Sequence, residues 1–316
     1  MKVLTVAVAI ALYNGEKFIE KQLDTLRLQT VKPDQVVMCD DCSTDNTFNL
    51  VEEYISRFSL QDSWKIYRNE ENLGYAKNFY RAMELCDCEL IYLCDQDDIW
   101  RKDKIEKMNS VMEENPHISL LMCKGGVIDA EGQDLHGLMI KKAKETLNIT
   151  QISVENILRV FDWTGMLMCV RKDFFDARKD IISKISAPHD FVLALCAADC
   201  GEFYVYDYVG AYHRRHSNNA ANEEHRISKL LNLKRKLRDI DNFNNYLYHV
   251  ENSQIQIQKK NMQMLEDRLK KSQQRKQALE EKSLKNILKV YFSDKQKMLR
   301  PISLICDVWL IIFGRK

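Results

Sequence analysis

The first 130 residues alternate short apolar runs with segments of helical periodicity, and this alternation is the strongest constraint on the fold. Successive parallel strands need a long crossover between them, so a strand–helix–strand order favours parallel pairing. Such a sheet is covered on both faces, which explains why the runs are continuously apolar. We predict an α/β, Rossmann-like fold with a mostly parallel sheet and helices on both faces. The predicted strands are 3–12, 35–39, 65–67, 89–94 and 118–123, and the predicted helices are 16–28, 46–58, 75–86 and 101–114.

The remainder of the chain changes character at residue 226. From there no glycine occurs before Gly314, and Lys, Gln, Asn and Leu are frequent, which predicts long helices. We therefore predict one domain over residues 1–225 and a helical extension over residues 226–316. Within the less regular part of the first domain, the sequence predicts an apolar run at 163–170, a helix at 190–200 and a strand at 203–209.

Charge is distributed unevenly along the chain. The formal net charge is +1, from 47 Lys and Arg against 46 Asp and Glu. This balance argues against a globally basic nucleic-acid-binding protein, so nucleic acid is not an expected partner. Residues 226–316 nevertheless carry +12 and residues 1–225 carry −11. The chain is an acidic body followed by a basic extension.

The ten cysteines and the N-terminal apolar run favour a cytoplasmic protein. Most cysteines lie in apolar runs, for example Cys94 and Cys123, as expected for buried free thiols in a reducing compartment. Cys39 and Cys42 have CxxC spacing, but no second CxxC or histidine pair lies at zinc-finger spacing. The N-terminal run ends at Tyr13 without a small-residue cleavage site, which favours a buried strand over a signal peptide. No run reaches the roughly 18–20 apolar residues that a membrane span needs.

Polar residues follow three of the predicted strands. They occupy segments 12–16, 40–47 and 95–100. In a parallel α/β sheet, ligands bind beyond the carboxyl ends of the strands, and these ends share one edge. We therefore expect the three segments to meet there.

The third segment contains three carboxylates within four residues, namely Asp95, Asp97 and Asp98. Such a cluster is repulsive unless a cation or solvent compensates it. Mg²⁺ and Mn²⁺ take carboxylate oxygens and leave coordination positions for substrate phosphates. Capping of the helix that begins near Arg101 is the other interpretation, but a cap needs only one aspartate. The cluster therefore favours a metal–phosphate site.

The first two segments each allow two interpretations. Asp41 could accept a hydrogen bond from the imide N–H of a nucleobase, or Asp40 and Asp41 could belong to a turn that precedes a helix cap at Ser43 or Asp45. Tyr13 could stack on a base, or it could pack on the core at the end of its strand.

Six sequence motifs follow one another along the chain. They are ALYNGEKFIEKQLDTL (11–26), CDDCSTDNT (39–47), ENLGYAKNF (71–79), LCDQDDIW (93–100), HDFVLAL (189–195) and YHRRHSNNA (212–220). In this order they resemble the motifs of family 2 glycosyltransferases, which have the GT-A fold. The resemblance covers roughly residues 1–220 and looks most like the rhamnosyltransferase-like branch that builds bacterial surface polysaccharides. Leu12 stands where many members have Thr or Ser, and Cys42 where Gly is common.

The resemblance implies a role for each matching position. Tyr13 and Asp41 would line the base, and Asp95 would lie near the ribose. The metal, Mn²⁺ or Mg²⁺, would be bound by Asp97 with support from Asp98. The further positions assigned to the nucleotide are Ala11 and Lys77, and a further metal contact is His216.

The resemblance also implies a general base at Asp190, at the start of an apolar helix where a capping aspartate is the alternative. Trp163, Gly165 and His189 are assigned to the donor and acceptor pocket, although a core tryptophan is equally compatible with the residues around Trp163. An exposed lysine at a helix start is the alternative for Lys77, and a solvated surface loop is the alternative for His216.

The implied reaction is an inverting sugar transfer from a nucleoside-diphosphate sugar, UDP- or dTDP-linked with dTDP-rhamnose as one candidate. The acceptor would be a glycan or a lipid-linked glycan. A carboxylate base raises the rate of such a reaction by about 10²–10⁴-fold. The alternative function is that of a catalytically degenerate transferase that acts as an assembly scaffold through its basic tail.

The C-terminal segment combines apolar and basic residues. Residues 302–313 are mostly apolar and include Trp309, and Arg315 and Lys316 follow. This composition suits the lipid–water interface of an anionic cytoplasmic leaflet. Packing on the body of the protein, or pairing of C-terminal helices in a homodimer, are the alternatives. We expect a cytoplasmic protein at the inner face of the membrane.

Overall fold

The computed structural model describes residues 3–133, 145–160, 163–215, 232–294 and 297–314. The chain divides into two compact units. The first, here the sheet unit, comprises Met1–Ile152, Trp163–Lys184 and Cys200–His216. The second, the helical unit, comprises Ser153–Asp162, Ile185–Asp199 and Ser217–Lys316.

The elements follow the predicted alternation closely over the first 130 residues. The strands are β1 (Val6–Leu12), β2 (Gln35–Asp40), β3 (Trp64–Arg68), β4 (Leu90–Asp95), β5 (Ile99–Trp100), β6 (Leu120–Ile128), β7 (Ile149–Gln151), β8 (Met168–Arg171) and β9 (Phe203–Arg214). The helices are α1 (Ile19–Arg27), α2 (Thr47–Arg57), α3 (Tyr75–Glu84), α4 (Lys104–Glu114), α5 (Val154–Arg159), α6 (Lys172–Asp176), α7 (Lys179–Ile182), α8 (His189–Cys200), α9 (Leu233–Glu251), α10 (Lys259–Glu280), α11 (Leu284–Phe292) and α12 (Pro301–Phe313).

The sheet is mixed and mostly parallel in its first half. Its strand order is β3-β2-β1-β4-β8-β6-β9-β5, and β7 pairs with β9. The pairs β3–β2, β2–β1 and β1–β4 are parallel, whereas β8 is antiparallel to both β4 and β6. Because β6 and β9 pair in parallel, β9 runs in the same direction as β4. The predicted fold class is confirmed.

Burial explains the composition of the central strands. Val6 to Ile10 of β1 are all buried, and so are five of the six residues of β4. A strand covered on both faces has no solvent side and therefore loses the alternation of polar and apolar residues. The neighbouring helices are amphipathic instead; α1, for example, buries Ile19, Leu23 and Leu26. All ten cysteines are free thiols, and eight of them are buried.

The helical unit has its own apolar core and a buried ionic cluster. Ile240, Leu279, Ile287 and Leu310, from α9 to α12 respectively, belong to one buried cluster. Within the described residues no helix is long and apolar enough to cross a membrane. The four helices that the structure describes between Leu233 and Phe313 confirm the predicted helical C-terminal region.

The ionic cluster joins all four of these helices. Asp307 of α12 is fully buried and receives two hydrogen bonds from Arg275 of α10, at 2.6 and 2.9 Å. Tyr291 of α11 donates to the same carboxylate at 2.8 Å, and Lys236 of α9 lies 3.7 Å away. Burial lowers the pKa of Arg275, but the hydrogen bond and charge of Asp307 outweigh this effect and raise it.

Candidate functional site

Three neighbouring parallel strands end at the same level of the sheet. Leu12 of β1 lies opposite Asp40 of β2, and Ala11 of β1 lies opposite Asp95 of β4. The polar segments after these strands therefore meet at one edge of the sheet unit, as predicted from the order of the elements. We call the segments 12–16, 40–47 and 95–98 together the polar edge.

The segments after β1 and β2 are joined by hydrogen bonds between side chains and backbone. The backbone N–H of Asn14 donates to Ser43 Oγ at 2.9 Å, and that of Gly15 donates to Thr47 Oγ1 at 2.7 Å. In return, the Thr44 N–H donates to Asn14 Oδ1 at 2.8 Å. Hydroxyl and amide side chains thus hold the two loops together, with Ser43 and Thr47 from the segment after β2 and Asn14 from the segment after β1.

The departure at Cys42 has a structural consequence. Cys42 has a φ of 63°, in the left-handed region where a side chain costs about 1–2 kcal/mol and glycine costs nothing. Its thiol lies 3.3 Å from the carbonyl oxygen of Asn69. The turn therefore keeps the geometry that glycine favours, with a cysteine in its place.

Asp41 is buried and organises the loop that precedes α3. Its Oδ1 accepts hydrogen bonds from Asn69 Nδ2 at 2.6 Å and from the Leu73 N–H at 2.8 Å. Its Oδ2 accepts one from the Gly74 N–H at 2.9 Å, and Gly74 has a φ of 80°, which suits glycine. A carboxylate has about four acceptor positions, so the described contacts leave Oδ2 able to accept one more N–H.

Tyr13 is held by its backbone, and its ring is exposed. The side-chain amide of Gln96 accepts from the Tyr13 N–H at 2.9 Å and donates to the Tyr13 carbonyl at 2.8 Å. A Cβ at Gly15 would collide with this amide, so the clamp needs glycine there. About half of Tyr13 is exposed, so the ring is not fully buried in the core.

The acidic segment after β4 contains one buried and two partly exposed aspartates. Asp95 and Asp97 are partly exposed, whereas Asp98 is fully buried. Oδ1 of Asp98 accepts from the Arg214 N–H at 2.9 Å and lies 3.1 Å from Nδ1 of His213. Asp98 therefore joins the end of β9 to the polar edge.

His213 carries a positive charge at neutral pH. Burial lowers its pKa, but the hydrogen bond and charge of Asp98, with the charges of Asp95 and Asp97, raise it overall to about 9. An imidazolium thus partly compensates the three carboxylates. The sequence contained a signal for His213 as a site residue, because the basic run at 213–216 follows the predicted strand 203–209.

Arg214 fixes the backbone of the acidic segment. Its side chain is buried, and Nε donates to the carbonyl oxygen of Asp97 at 2.8 Å. Nη1 donates to the carbonyl oxygens of Ala130 at 2.9 Å and Asp129 at 3.3 Å. Arg214 therefore connects the acidic segment to the residues that follow β6.

The donor set fits a divalent cation that is shared with a substrate. Within the described ranges, no group of three His, Cys, Asp or Glu side chains is arranged to hold a metal ion. Oδ2 of Asp98, however, is buried without a hydrogen-bond partner among the described residues. Mg²⁺ is commonly bound by one or two carboxylates together with water and substrate phosphates. The predicted metal contact His216 lies outside the described residues.

Comparison with known proteins identifies the family. The sequence model described as Glycosyl transferase family 2 matches residues 7–175, more than half of the chain. The chain belongs to glycosyltransferase family 2. The chain is 43% identical over 101 residues to the dTDP-rhamnosyl transferase RfbG of Shigella flexneri, a match that covers 31% of the chain and 34% of RfbG. It is 29% identical over 128 residues to the poly(ribitol-phosphate) beta-N-acetylglucosaminyltransferase TarS of Staphylococcus aureus, with 40% of the chain and 22% of TarS covered.

Solved structures of similar fold support the fold that this family assignment implies. TarS residues 1–349 in complex with UDP match with a TM-score of 0.57 at 17% identity, covering 86% of this chain and 71% of that one. The mannosyltransferase PcManGT of Pyrobaculum calidifontis, in complex with GDP-Man and Mn²⁺, matches with a TM-score of 0.56 at 13% identity, covering 100% and 89%. The fold is GT-A-like. The matches to RfbG and TarS by sequence span about a third and a fifth of those proteins.

In the helical unit, α8 begins at His189, and Asp190 follows in its first turn. Oδ1 of Asp190 accepts from the Phe191 N–H at 2.7 Å, a local contact within the first turn of the helix. The charge of Asp190 acts on Tyr246 of α9: burial raises the pKa of Tyr246 most, and the negative charge of Asp190 raises it further. His189 is buried, and burial lowers its pKa to about 3, so the ring is neutral at pH 7.

The remaining predicted residues have different surroundings. Lys77 is exposed in the first turn of α3, and Ala11 is half-buried at the end of β1. Gly165 is buried at the start of a 3₁₀ turn. Trp163 packs edge-to-face on Phe203, with ring centroids 5.2 Å apart. Phe203 begins β9, whereas the polar edge meets the other end of that strand, so this contact favours the packing role for Trp163.

Proposed function

We propose that the chain is a metal-dependent, inverting glycosyltransferase of bacterial surface-polysaccharide synthesis. It would move a sugar from a UDP- or dTDP-linked donor, with dTDP-rhamnose as one candidate, to a glycan or lipid-linked acceptor. The observation that carries the proposal is the meeting of the exposed Tyr13 ring, the Asp41 carboxylate and the Asp95–Asp98 segment at one edge of a family 2 sheet.

The base would bind between an aromatic ring and an acceptor. Tyr13 offers an exposed face for stacking, and its backbone is fixed by Gln96. Oδ2 of Asp41 can accept the imide N–H that both uracil and thymine carry, because a carboxylate is an acceptor only. A pyrimidine donor agrees with the dTDP-rhamnosyl transferase and UDP-bound proteins to which the chain is similar.

The diphosphate would lie beside the acidic segment. Asp97, with Oδ2 of Asp98, would hold Mn²⁺ or Mg²⁺ together with diphosphate oxygens, and the bound metal would act as a Lewis acid toward the leaving group. Arg214 holds the Asp97 backbone, and Lys77 is exposed and long enough to contact a phosphate. Nδ1 of His213 lies 3.1 Å from Oδ1 of Asp98, next to this segment.

Proton removal is assigned to Asp190. A sugar hydroxyl is a poor nucleophile at neutral pH, and a carboxylate within hydrogen-bond distance can take its proton as the new glycosidic bond forms. Attack from the face opposite the leaving diphosphate inverts the anomeric carbon. The free thiols and the nucleotide-sugar donor are consistent with a reaction in the cytoplasm.

Thermal denaturation with added nucleotides tests the proposal. UDP or dTDP at saturating concentration with Mn²⁺ should raise the melting temperature, because a ligand that binds only the native state stabilises it. EDTA should remove much of this shift, and Asp97→Asn should remove the Mn²⁺-dependent part. Asp62→Asn, an exposed acid away from the polar edge, is the control. No shift with any pyrimidine nucleoside diphosphate, with or without metal, would exclude both the enzyme and its nucleotide site.

A further inference from the structure

Two C-terminal helices expose an unusual number of large apolar side chains. Of the sixteen exposed large hydrophobic residues in the described chain, eight lie between residues 284 and 313, with exposed fractions of 38–82%. We call these eight the apolar face. They are Leu284, Leu288 and Phe292 of α11 and Ile302, Ile305, Trp309, Ile312 and Phe313 of α12.

The orientation of α12 is fixed by the opposite side of the helix. Asp307 is bound by Arg275 and Tyr291 inside the helical unit, and Leu310 lies in the apolar core. At 100° per residue, Ile305 and Trp309 lie on the side away from Asp307. The buried ionic cluster therefore holds the apolar face outward, and rotation of α12 to bury it would leave Asp307 without its partners.

The exposed charges around the apolar face are mostly basic; the exposed acids Glu280 and Glu281 lie just before α11, where Glu281 accepts from Asn286 Nδ2 at 3.0 Å. Asp294 and Asp307 are the acidic residues among the described positions 282–314, and both are buried and paired, with Lys271 at 2.7 Å and Arg275 at 2.6 Å. The exposed charged residues at the same positions are all basic. They are Lys282, Lys285, Lys289, Lys297 and Arg300.

A recess of about 520 Å³ opens beside the apolar face. Arg159 and Arg300 both line it, and so does Ile302 of the apolar face. Guanidinium groups pair with phosphate oxygens through two parallel hydrogen bonds. The remaining lining residues are Asn156, Val160 and Pro301.

We propose that the apolar face and its basic rim dock the helical unit on an anionic phospholipid surface, with α11 and α12 lying in the plane of the interface. A helix that is apolar along one side and basic at its borders has the pattern of an interfacial helix. A second copy of this chain would bring like charges together, whereas anionic headgroups attract each basic residue. The two arginines of the recess would take a lipid phosphate. This inference does not depend on the transfer chemistry.

Vesicle co-sedimentation of the 316-residue chain tests the proposal. Vesicles of phosphatidylcholine with 30% phosphatidylglycerol should bind the chain, whereas pure phosphatidylcholine vesicles should bind it at least tenfold more weakly. Ile305→Ser with Phe313→Ser should weaken binding to anionic vesicles at least tenfold. Leu28→Ser with Tyr248→Ser removes two side chains of similar exposure outside the apolar face and should leave binding unchanged.

A charge variant separates the basic rim from the apolar residues. Lys285→Glu with Lys289→Glu alters exposed residues alone and should weaken binding as strongly as 0.5 M NaCl does. If the apolar double variant has a lower melting temperature than the wild type, the charge variant alone tests the proposal. Equal binding of wild type and both variants would overturn the proposal, and so would no binding to anionic vesicles. Dimerisation that Ile305→Ser with Phe313→Ser abolishes, without vesicle binding, would assign the face to a second copy instead.

Discussion

Each unit buries a carboxylate next to an arginine, but the hydrogen bonding of the two carboxylates differs. In the helical unit both oxygens of Asp307 accept from Arg275, so the carboxylate is satisfied on both sides. In the sheet unit Asp98 accepts through Oδ1 from the Arg214 backbone, and its Oδ2 is buried without a hydrogen-bond partner in the part of the chain described. Oδ1 of Asp40, at the same polar edge, is also buried without one there.

This difference is the one expected if Asp307 holds the fold and Asp98 binds a ligand, as proposed above. A buried acceptor without a partner costs about 1–3 kcal/mol, so it persists only where something else requires it. At the polar edge, a cation or a substrate donor would supply the missing partner. Asp307 has no such deficit, and we assign it a structural role.

The largest effect is expected where a satisfied pair is broken. Asp307→Ala leaves the Arg275 guanidinium buried without its carboxylate and should lower the free energy of unfolding by about 3–5 kcal/mol. Urea denaturation followed by circular dichroism measures this loss. The control is Asp241→Ala, which removes an exposed ion pair with Lys276 and should cost under about 1 kcal/mol. Equal losses in the two variants would contradict the structural assignment.

At the polar edge, a substitution should lower activity and leave stability almost unchanged. Asp97→Asn removes a charge from a partly exposed side chain, so the melting temperature should barely change. Transfer activity should fall by about 10³-fold, or about 4 kcal/mol in transition-state stabilisation, because the metal would lose its main carboxylate. Release of nucleoside diphosphate measures the activity. Wild-type turnover in Asp97→Asn would remove Asp97 from the metal site.

The sequence predicted the first half of the sheet because the signals there are local. The apolar run of β4 was predicted at 89–94 and lies at Leu90–Asp95. The alternation of apolar runs with helical segments made the parallel order and the shared edge predictable. The polar segment after each strand followed from strand order alone. The exposed ring of Tyr13 could not be inferred, since it depends on the clamp from Gln96.

The second half depends on contacts that are distant in sequence. The run at 163–170 ends in β8, which inserts antiparallel between β4 and β6, and nothing near it in sequence indicates that pairing. The bond from Arg214 to the Asp97 carbonyl joins residues 117 positions apart. In the sequence, His213 and Arg214 are two residues of the motif YHRRHSNNA, and their contacts at the polar edge are seen only in the fold.

The role of Asp190 can be tested against a matched control, because a second aspartate has the same local geometry. Asp173 also precedes a phenylalanine in a first helical turn and accepts its N–H at 2.7 Å, as Asp190 does from Phe191. If Asp190 is the base, Asp190→Asn should reduce turnover by about 10²-fold or more and flatten the acid limb of the pH–rate profile. Asp173→Asn should change neither. Equal effects of the two variants would leave Asp190 as a helix-capping residue.

His189 predicts how the stability of the helical unit depends on pH. Burial lowers its pKa from 6.5 to about 3, so protons bind the unfolded state first as the pH falls. Stability is therefore full above pH 6.5 and is lost as the pH falls toward 3, with about 2 kcal/mol lost between pH 6.5 and 5. His189→Asn should reduce this slope in urea denaturation, whereas His117→Asn, at an exposed site, should not. A wild-type slope in His189→Asn would contradict the assignment.

The smallest effect is expected for Tyr13→Ala, which tests whether the ring of Tyr13, rather than a charged group, contributes to nucleotide binding at the polar edge. Tyr13→Ala removes an exposed ring while Gln96 still binds the backbone of residue 13, so stability should change by less than about 0.5 kcal/mol. Base stacking contributes about 1–3 kcal/mol per base, which corresponds to a rise of roughly 5–150-fold in the Kd for UDP or dTDP. Calorimetric titration measures it, with Tyr248→Ala as the control of similar exposure. An unchanged Kd would mean that the base does not lie on Tyr13, although the acidic segment could still hold the diphosphate.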